Sequence, residues 1–119
     1  MRLADVDFTT RDQVLIAHVT GEVDLSNAEQ LGTALTDTTV NELLGLVLDL
    51  SDVDYLDSAG IQLIYRLRES LRSRGQTLRL VIPSTSPVRY ALKLAGLTST
   101  IEMAETVDEA LGGVEPLST

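Results

Sequence analysis

The sequence predicts a single α/β domain: a mixed, mostly parallel sheet of about four to five strands with about four helices. Three observations predict it. The chain opens with two strand-like stretches separated by a short polar break, as in a hairpin. The run Leu44 to Leu50 is nearly all apolar, which suits a strand buried on both faces by flanking helices. Beyond it, strand-length apolar runs alternate with amphipathic stretches, and that order implies parallel pairing through right-handed crossovers.

Each element has its own signal. Leu3 to Thr9 is a weak first strand, with Val6 and Phe8 on one parity, and Val14 to Thr20 is a stronger second. Arg11-Asp12-Gln13 between them is short enough for a hairpin. Gly21-Glu22-Val23-Asp24 reads as a turn, and Ser26 or Asn27 then starts a helix carrying Ala28, Leu31 and Leu35 at helical spacing. After the Leu44 to Leu50 strand comes an acidic loop, and then the longest helix, Ser58 to Arg74. Its apolar stripe is Ile61, Ile64, Leu67 and Leu71, and Gly75 stops it.

Leu78 to Ile82 is the next strand, broken by Pro83. Ser86-Pro87 opens a third helix with proline at its first position; Val88, Ala91, Leu92 and Ala95 form its apolar face and Gly96 ends it. A short strand near Thr100 to Met103 and a helix from Thr106 to about Leu111 complete the domain, residues 1–111. Residues 112–119 read as a mobile tail.

Composition excludes several function classes. The chain has 119 residues, enough for one core, and that core is aliphatic, because there is one Phe and no Trp. With 18 acidic against 9 basic side chains the net charge is −9, which disfavours nucleic acid and anionic membrane surfaces as partners. The same charge reads as that of a soluble acidic protein that resists association; steering toward a basic partner surface is the sharper alternative, and charge alone favours the first. No apolar run is long enough to span a membrane. Met1-Arg2-Leu3-Ala4-Asp5 has no long apolar stretch behind its charge, so no secretory signal is expected. Cysteine is absent, which rules out disulfides and thiolate chemistry and fits a cytoplasmic location. Low aromatic content and an exposed edge strand permit a monomer or weak dimer.

Enzyme chemistry is thin. His18 is the one histidine; it shares the parity of Val14 and Ile16 in the second strand, where a packed or surface role is the ordinary one. There is no Gly-x-Ser-x-Gly elbow around Ser58 and no phosphate-cradling glycine loop with lysine. Asp49, Asp52, Asp54 and Asp57 lack EF-hand spacing and read as a solvated acidic loop. No enzyme activity, metal or cofactor is expected.

Ser58 supports two readings. As an N-cap, its oxygen would accept a backbone N–H one turn into the helix, worth about 1 kcal/mol. As a phosphoacceptor, it would place about −1.5 to −2 charges at a helix N-terminus, where free N–H groups favour a phosphate. Asp57, Asp54 and Asp24 would then add like charge nearby.

The motifs, in order and spacing, resemble those of the anti-sigma factor antagonists, the bacterial STAS domains. Gly21-Glu22-Val23-Asp24 is similar to that family's Gly-Glu-hydrophobic-Asp turn. Leu48-Asp49-Leu50-Ser51 and Asp57-Ser58-Ala59-Gly60-Ile61 resemble its strand and its phosphorylation segment, and Ala95-Gly96-Leu97 its Gly-Leu after the third helix. The resemblance covers nearly the whole chain. It implies a STAS-like fold and an unmodified form that binds an anti-sigma factor serine kinase, freeing the sigma factor. Phosphorylation at Ser58 would weaken that complex and a PP2C-type phosphatase would restore it. Asp24 and Asp57 would shape the site, Gly60 would allow close approach or tight packing, and Ala59, Ile61 and Gln62 would join Ser58 in the docking face. Where the family often has a second hydroxyl, this chain has Ala59, so Ser58 has no immediate substitute. Ser51, Ser84 and Ser86 are secondary candidates. A non-switching STAS subunit of a transport or scaffold assembly is the competing reading.

Overall fold

The computed structural model describes residues 4–114. Five strands stand in the order β1-β2-β3-β4-β5: β1 Asp5–Arg11, β2 Val14–Val23, β3 Gly45–Leu56, β4 Thr77–Val81 and β5 Met103–Ala104. β1 pairs with β2 antiparallel, and every later pairing is parallel. The helices are α1 Ala28–Thr38, α2 Ser58–Ser73, α3 Pro87–Leu94 and α4 Val107–Gly112. The predicted fold class stands.

The β1–β2 hairpin closes through Asp12 and Gln13, both at positive φ, as a two-residue primed turn requires. Leu46, Leu48 and Leu50 of β3 join Leu15, Ala17, Leu78 and Leu80 on one face of the sheet. They pack there against Leu31 and Leu35 of α1, Ile64, Leu67 and Leu71 of α2, and Val88 and Leu92 of α3. The opposite face is smaller: Val14, Ile16, Val47, Val81 and Ala104 are covered by Ala110 of α4 and by Val114. β3 is therefore buried on both sides, as its continuous apolar run requires.

Several boundaries differ from expectation. The run Gly21 to Asp24 is not a free turn: β2 continues through Val23, with Gly21 at φ 100°. β3 continues six residues beyond Leu50, through most of the supposed acidic loop, pairing Val23 with Leu56. Its register against β2 shifts twice, and each shift places one extra residue on β3. The two bulges are why Leu50, Val53 and Leu56, spaced three apart, all turn inward.

Instead of a strand at Thr100 there is a 3-10 turn, Leu97–Ser99, after Gly96 at φ 79°, and the last strand begins at Met103. The expected start of β1 at Leu3 lies outside the described residues. So does most of the expected tail; within the described part, Val114 is 7% exposed and packs under the sheet.

Candidate functional site

The site is assembled at the C-terminal ends of β2 and β3. The Asp57 amide donates to the Val23 carbonyl at 3.2 Å, closing the last rung between the strands. The chain then turns into α2. Asp57, in extended backbone, is the N-cap: its Oδ1 accepts from the amides of Ala59 at 2.9 Å and Gly60 at 3.1 Å. Ser58 is the first helical residue. The expectation that its hydroxyl caps α2 is corrected, because the neighbouring carboxylate reaches the same amides and carries the charge that a helix N-terminus favours. Ser58 is exposed, and its hydroxyl makes no hydrogen bond among the described residues.

The second carboxylate oxygen of Asp57 reaches across to the loop before α1, where it accepts the Leu25 amide at 3.2 Å. Asp24, beside it, is buried and works inward. Its Oδ1 accepts the Ser26 amide at 2.9 Å and the Ser26 hydroxyl, while its carbonyl accepts the amides of Asn27 and Ala28. Asn27, 6% exposed, donates to the Glu22 carbonyl at 2.8 Å and accepts the Asp24 amide at 3.0 Å. Asp24 therefore shapes the loop, and Asp57 binds that loop to α2.

Gly60 is buried, and the room for a side chain there is taken. A Cβ would collide with Leu56 Cδ1 and sit 3.0 Å from Leu56 Cγ and 3.2 Å from Val23 Cγ1. Its role in the fold is to seat the first turn of α2 on the strand ends. Ile61 is half-buried against the main core, and Gln62 is exposed. The structure thus brings Asp57, Ser58, Ala59 and Gln62 to one surface beside the Asp24 loop, while Gly60 lies beneath it.

Next to that surface runs a groove of about 720 Å³ between α1 and α2, lined by Leu25, Ala28, Gly32, Ala59, Gln62 and Leu63 among others. Gly32 keeps it narrow: a Cβ there would lie 2.7 Å from Leu63 Cδ1. Leu25 at its mouth is 82% exposed. The sequence reading missed Leu25. Its signal was a leucine stranded between Asp24 and Ser26 in a polar loop.

The other candidates separate from this site. His18 bonds Asp52 through Nε2 at 2.7 Å, and no serine hydroxyl is hydrogen-bonded to it among the described residues. Ser51 Oγ donates to Asp49 at 2.7 Å, and Ser86 Oγ accepts the Val88 amide as the cap of α3. Among the described residues no group of three or more His, Cys, Asp or Glu side chains is arranged to hold a metal, and no helix is long and apolar enough to cross a membrane.

Residues 5–110 match the family model described as the STAS domain. The chain belongs to the STAS domain family. Among its curated relatives, the anti-sigma-F factor antagonist RsfB of Mycobacterium tuberculosis is 31% identical over 102 residues, 85% of this chain and 81% of the relative. An anti-sigma-B factor antagonist of Listeria monocytogenes is 33% identical over 94 residues, 79% of this chain and 82% of that one. Among solved structures, an anti-sigma factor antagonist from Mycobacterium paratuberculosis superposes with a TM-score of 0.83 at 28% identity, covering 93% of both chains. In this STAS domain, Ser58 thus stands at the start of α2 with the Asp57 cap before it and the Asp24 loop alongside.

Proposed function

We propose that this STAS domain is an anti-sigma factor antagonist that works by partner switching. Unphosphorylated, it binds an anti-sigma factor serine kinase and so frees the sigma factor. Phosphorylation at Ser58 weakens that complex, and a PP2C-type phosphatase reverses the modification. Its place of action is the cytoplasm, and transcription is what it regulates.

The observation that carries this reading is the division of labour between Asp57 and Ser58. Asp57 takes the capping role, so the exposed Ser58 hydroxyl is spared for modification. A phosphate on it would add about −1.5 to −2 charges beside the Asp57 carboxylate. The positive end of the helix dipole tolerates that charge within the fold. A partner drawn to a chain of net charge −9 would meet a changed surface at the centre of contact. Ser58, Ala59, Ile61 and Gln62 form the docking face, with Leu25 and the α1–α2 groove extending it. The curated relatives' names support the same assignment.

The test is a binding titration against the cognate kinase, with the chain unmodified, phosphorylated, Ser58→Ala and Ser58→Asp. Ser58→Ala binds as the unmodified chain does and is not released by ATP, while the phosphorylated chain binds at least about tenfold more weakly. Equal affinity of the phosphorylated and unmodified forms would refute the switch. Stable co-purification with membrane transport components, indifferent to ATP, would instead support a non-switching scaffold.

A further inference from the structure

A second cleft opens on the other side of α2, toward its C-terminal end. Arg68 and Arg72 of α2, Thr77 and Arg79 of β4, and Thr100 and Glu102 beyond the 3-10 turn line it, and its volume is about 290 Å³. The chain has only 9 basic residues against 18 acidic ones, and three arginines line this cleft.

The three guanidinium groups differ in how far they are satisfied. Arg79 is 14% exposed at its side chain, and its Nη1 meets Glu102 Oε2 at 2.7 Å. Its Nε is buried and has no hydrogen-bond partner among the described residues. The guanidinium lies directly against Gly113, where any Cβ would collide with it. Arg68 Nη1 stands 3.2 Å from Glu69 Oε2, and the Arg72 guanidinium makes no hydrogen bond or ion pair among the described residues. A guanidinium carries five N–H donors, so one carboxylate contact leaves most of them open. Among the described residues two carboxylates, Glu69 and Glu102, pair with these three arginines.

We propose that this cleft binds a small phosphate-class oxyanion, either the free ion or the phosphate chain of a small metabolite. Planar guanidinium forks match tetrahedral oxyanions, and such an anion brings acceptors to the open donors of Arg68 and Arg72. Thr77 adds a hydroxyl at the rim, while the Thr100 hydroxyl already donates to the Leu97 carbonyl at 3.3 Å. The volume lies at the lower end of small-molecule pockets, which run from about 300 to 1,000 Å³, so a compact anion fits. Arg68 and Arg72 follow Ser58 by ten and fourteen helical positions, about 15 and 21 Å along the axis. The site is therefore distinct from Ser58 and stands whether or not the partner switch does.

The test is a titration of the full ¹⁵N-labelled chain with inorganic phosphate, pyrophosphate and ATP at low chloride, read by NMR at the amides of Thr77, Arg79, Thr100 and Glu102 and at the arginine Nε–Hε groups. Saturable shifts confined to these positions are expected. Arg72→Gln or Arg68→Gln weakens binding about tenfold or more, and Lys93→Gln on α3 leaves it unchanged. Arg72 is exposed and its side chain has no partner among the described residues, so its variant folds as the parent does. Saturation by phosphate alone identifies the free ion as ligand, and saturation by pyrophosphate or ATP alone identifies a phosphate chain. Absence of saturation by all three, or undiminished binding in both arginine variants, would overturn the proposal.

Discussion

The carboxylate of Asp57 accepts the Leu25 amide at 3.2 Å while its other oxygen holds the Ala59 and Gly60 amides in the first turn of α2. One side chain thus joins the loop that leads into α1 to the start of the helix that carries Ser58. Asp57→Ala removes all three bonds and is expected to cost about 1 to 2 kcal/mol, within the range for lost N-caps. Asp57→Asn keeps one acceptor oxygen for the cap but turns its NH2 toward the Leu25 amide and loses that bond, so it costs less than alanine, about 0.5 to 1 kcal/mol. Urea denaturation of the three proteins checks the order; equal loss from both variants would mean that charge, not the acceptor oxygen, holds the junction.

Gly60→Ala sets two effects against each other. Alanine gains about 1 kcal/mol of helix propensity over glycine. Its Cβ, however, lands on Leu56 Cδ1 and close to Val23, and overpacking of this kind costs about 1 to 3 kcal/mol. The expected net result is a loss of about 1 kcal/mol, with NMR shift changes concentrated at Val23, Leu56 and the first turn of α2. A variant more stable than the parent would mean that Leu56 moves aside freely.

How legible this architecture is in the sequence depends on whether local pattern and tertiary contact agree. They agree in Leu44–Leu50, in the α2 stripe and at Ser86-Pro87, and those elements stand where the pattern puts them. They disagree from Ser51 to Leu56. Strand side chains alternate, yet the inward residues Leu50, Val53 and Leu56 are three apart, because two bulges each insert a residue opposite β2. That spacing reads as loop until the partner strand is seen. The capping residue was hidden for a different reason: Asp57 and Ser58 are adjacent, and both residue types cap well. Only the backbone geometry separates them. The α1–α2 groove left still less trace, since it depends on how Gly32 meets Leu63 across two helices.

Gly45 lies at the closest approach of β3 to β4. It pairs with Thr77, and a Cβ on Gly45 would run into the Thr77 carbonyl oxygen. Backbone cannot swing aside as a leucine tip can. Gly45→Ala is therefore expected to cost about 2 to 3 kcal/mol, at the upper end of overpacking losses and more than Gly60→Ala. Chemical denaturation of the two variants side by side checks the ranking; a smaller loss at Gly45 would mean that the β3–β4 register yields.

Ser58→Ala and Ser86→Ala distinguish a spared hydroxyl from a structural one. Both serines precede or open a helix, and by sequence either reads as a cap. Ser86 Oγ accepts the Val88 amide at 3.3 Å, so Ser86→Ala loses a cap bond and about 0.5 to 1 kcal/mol. Ser58 has no hydrogen bond at its hydroxyl among the described residues, it is exposed, and alanine is a better helix former than serine. Ser58→Ala is expected to leave stability within about 0.5 kcal/mol of the parent, as ordinary surface substitutions do. A loss of 1 kcal/mol or more at Ser58, measured by urea denaturation, would return the capping role to that hydroxyl and take away the reason for treating it as free to accept a phosphate.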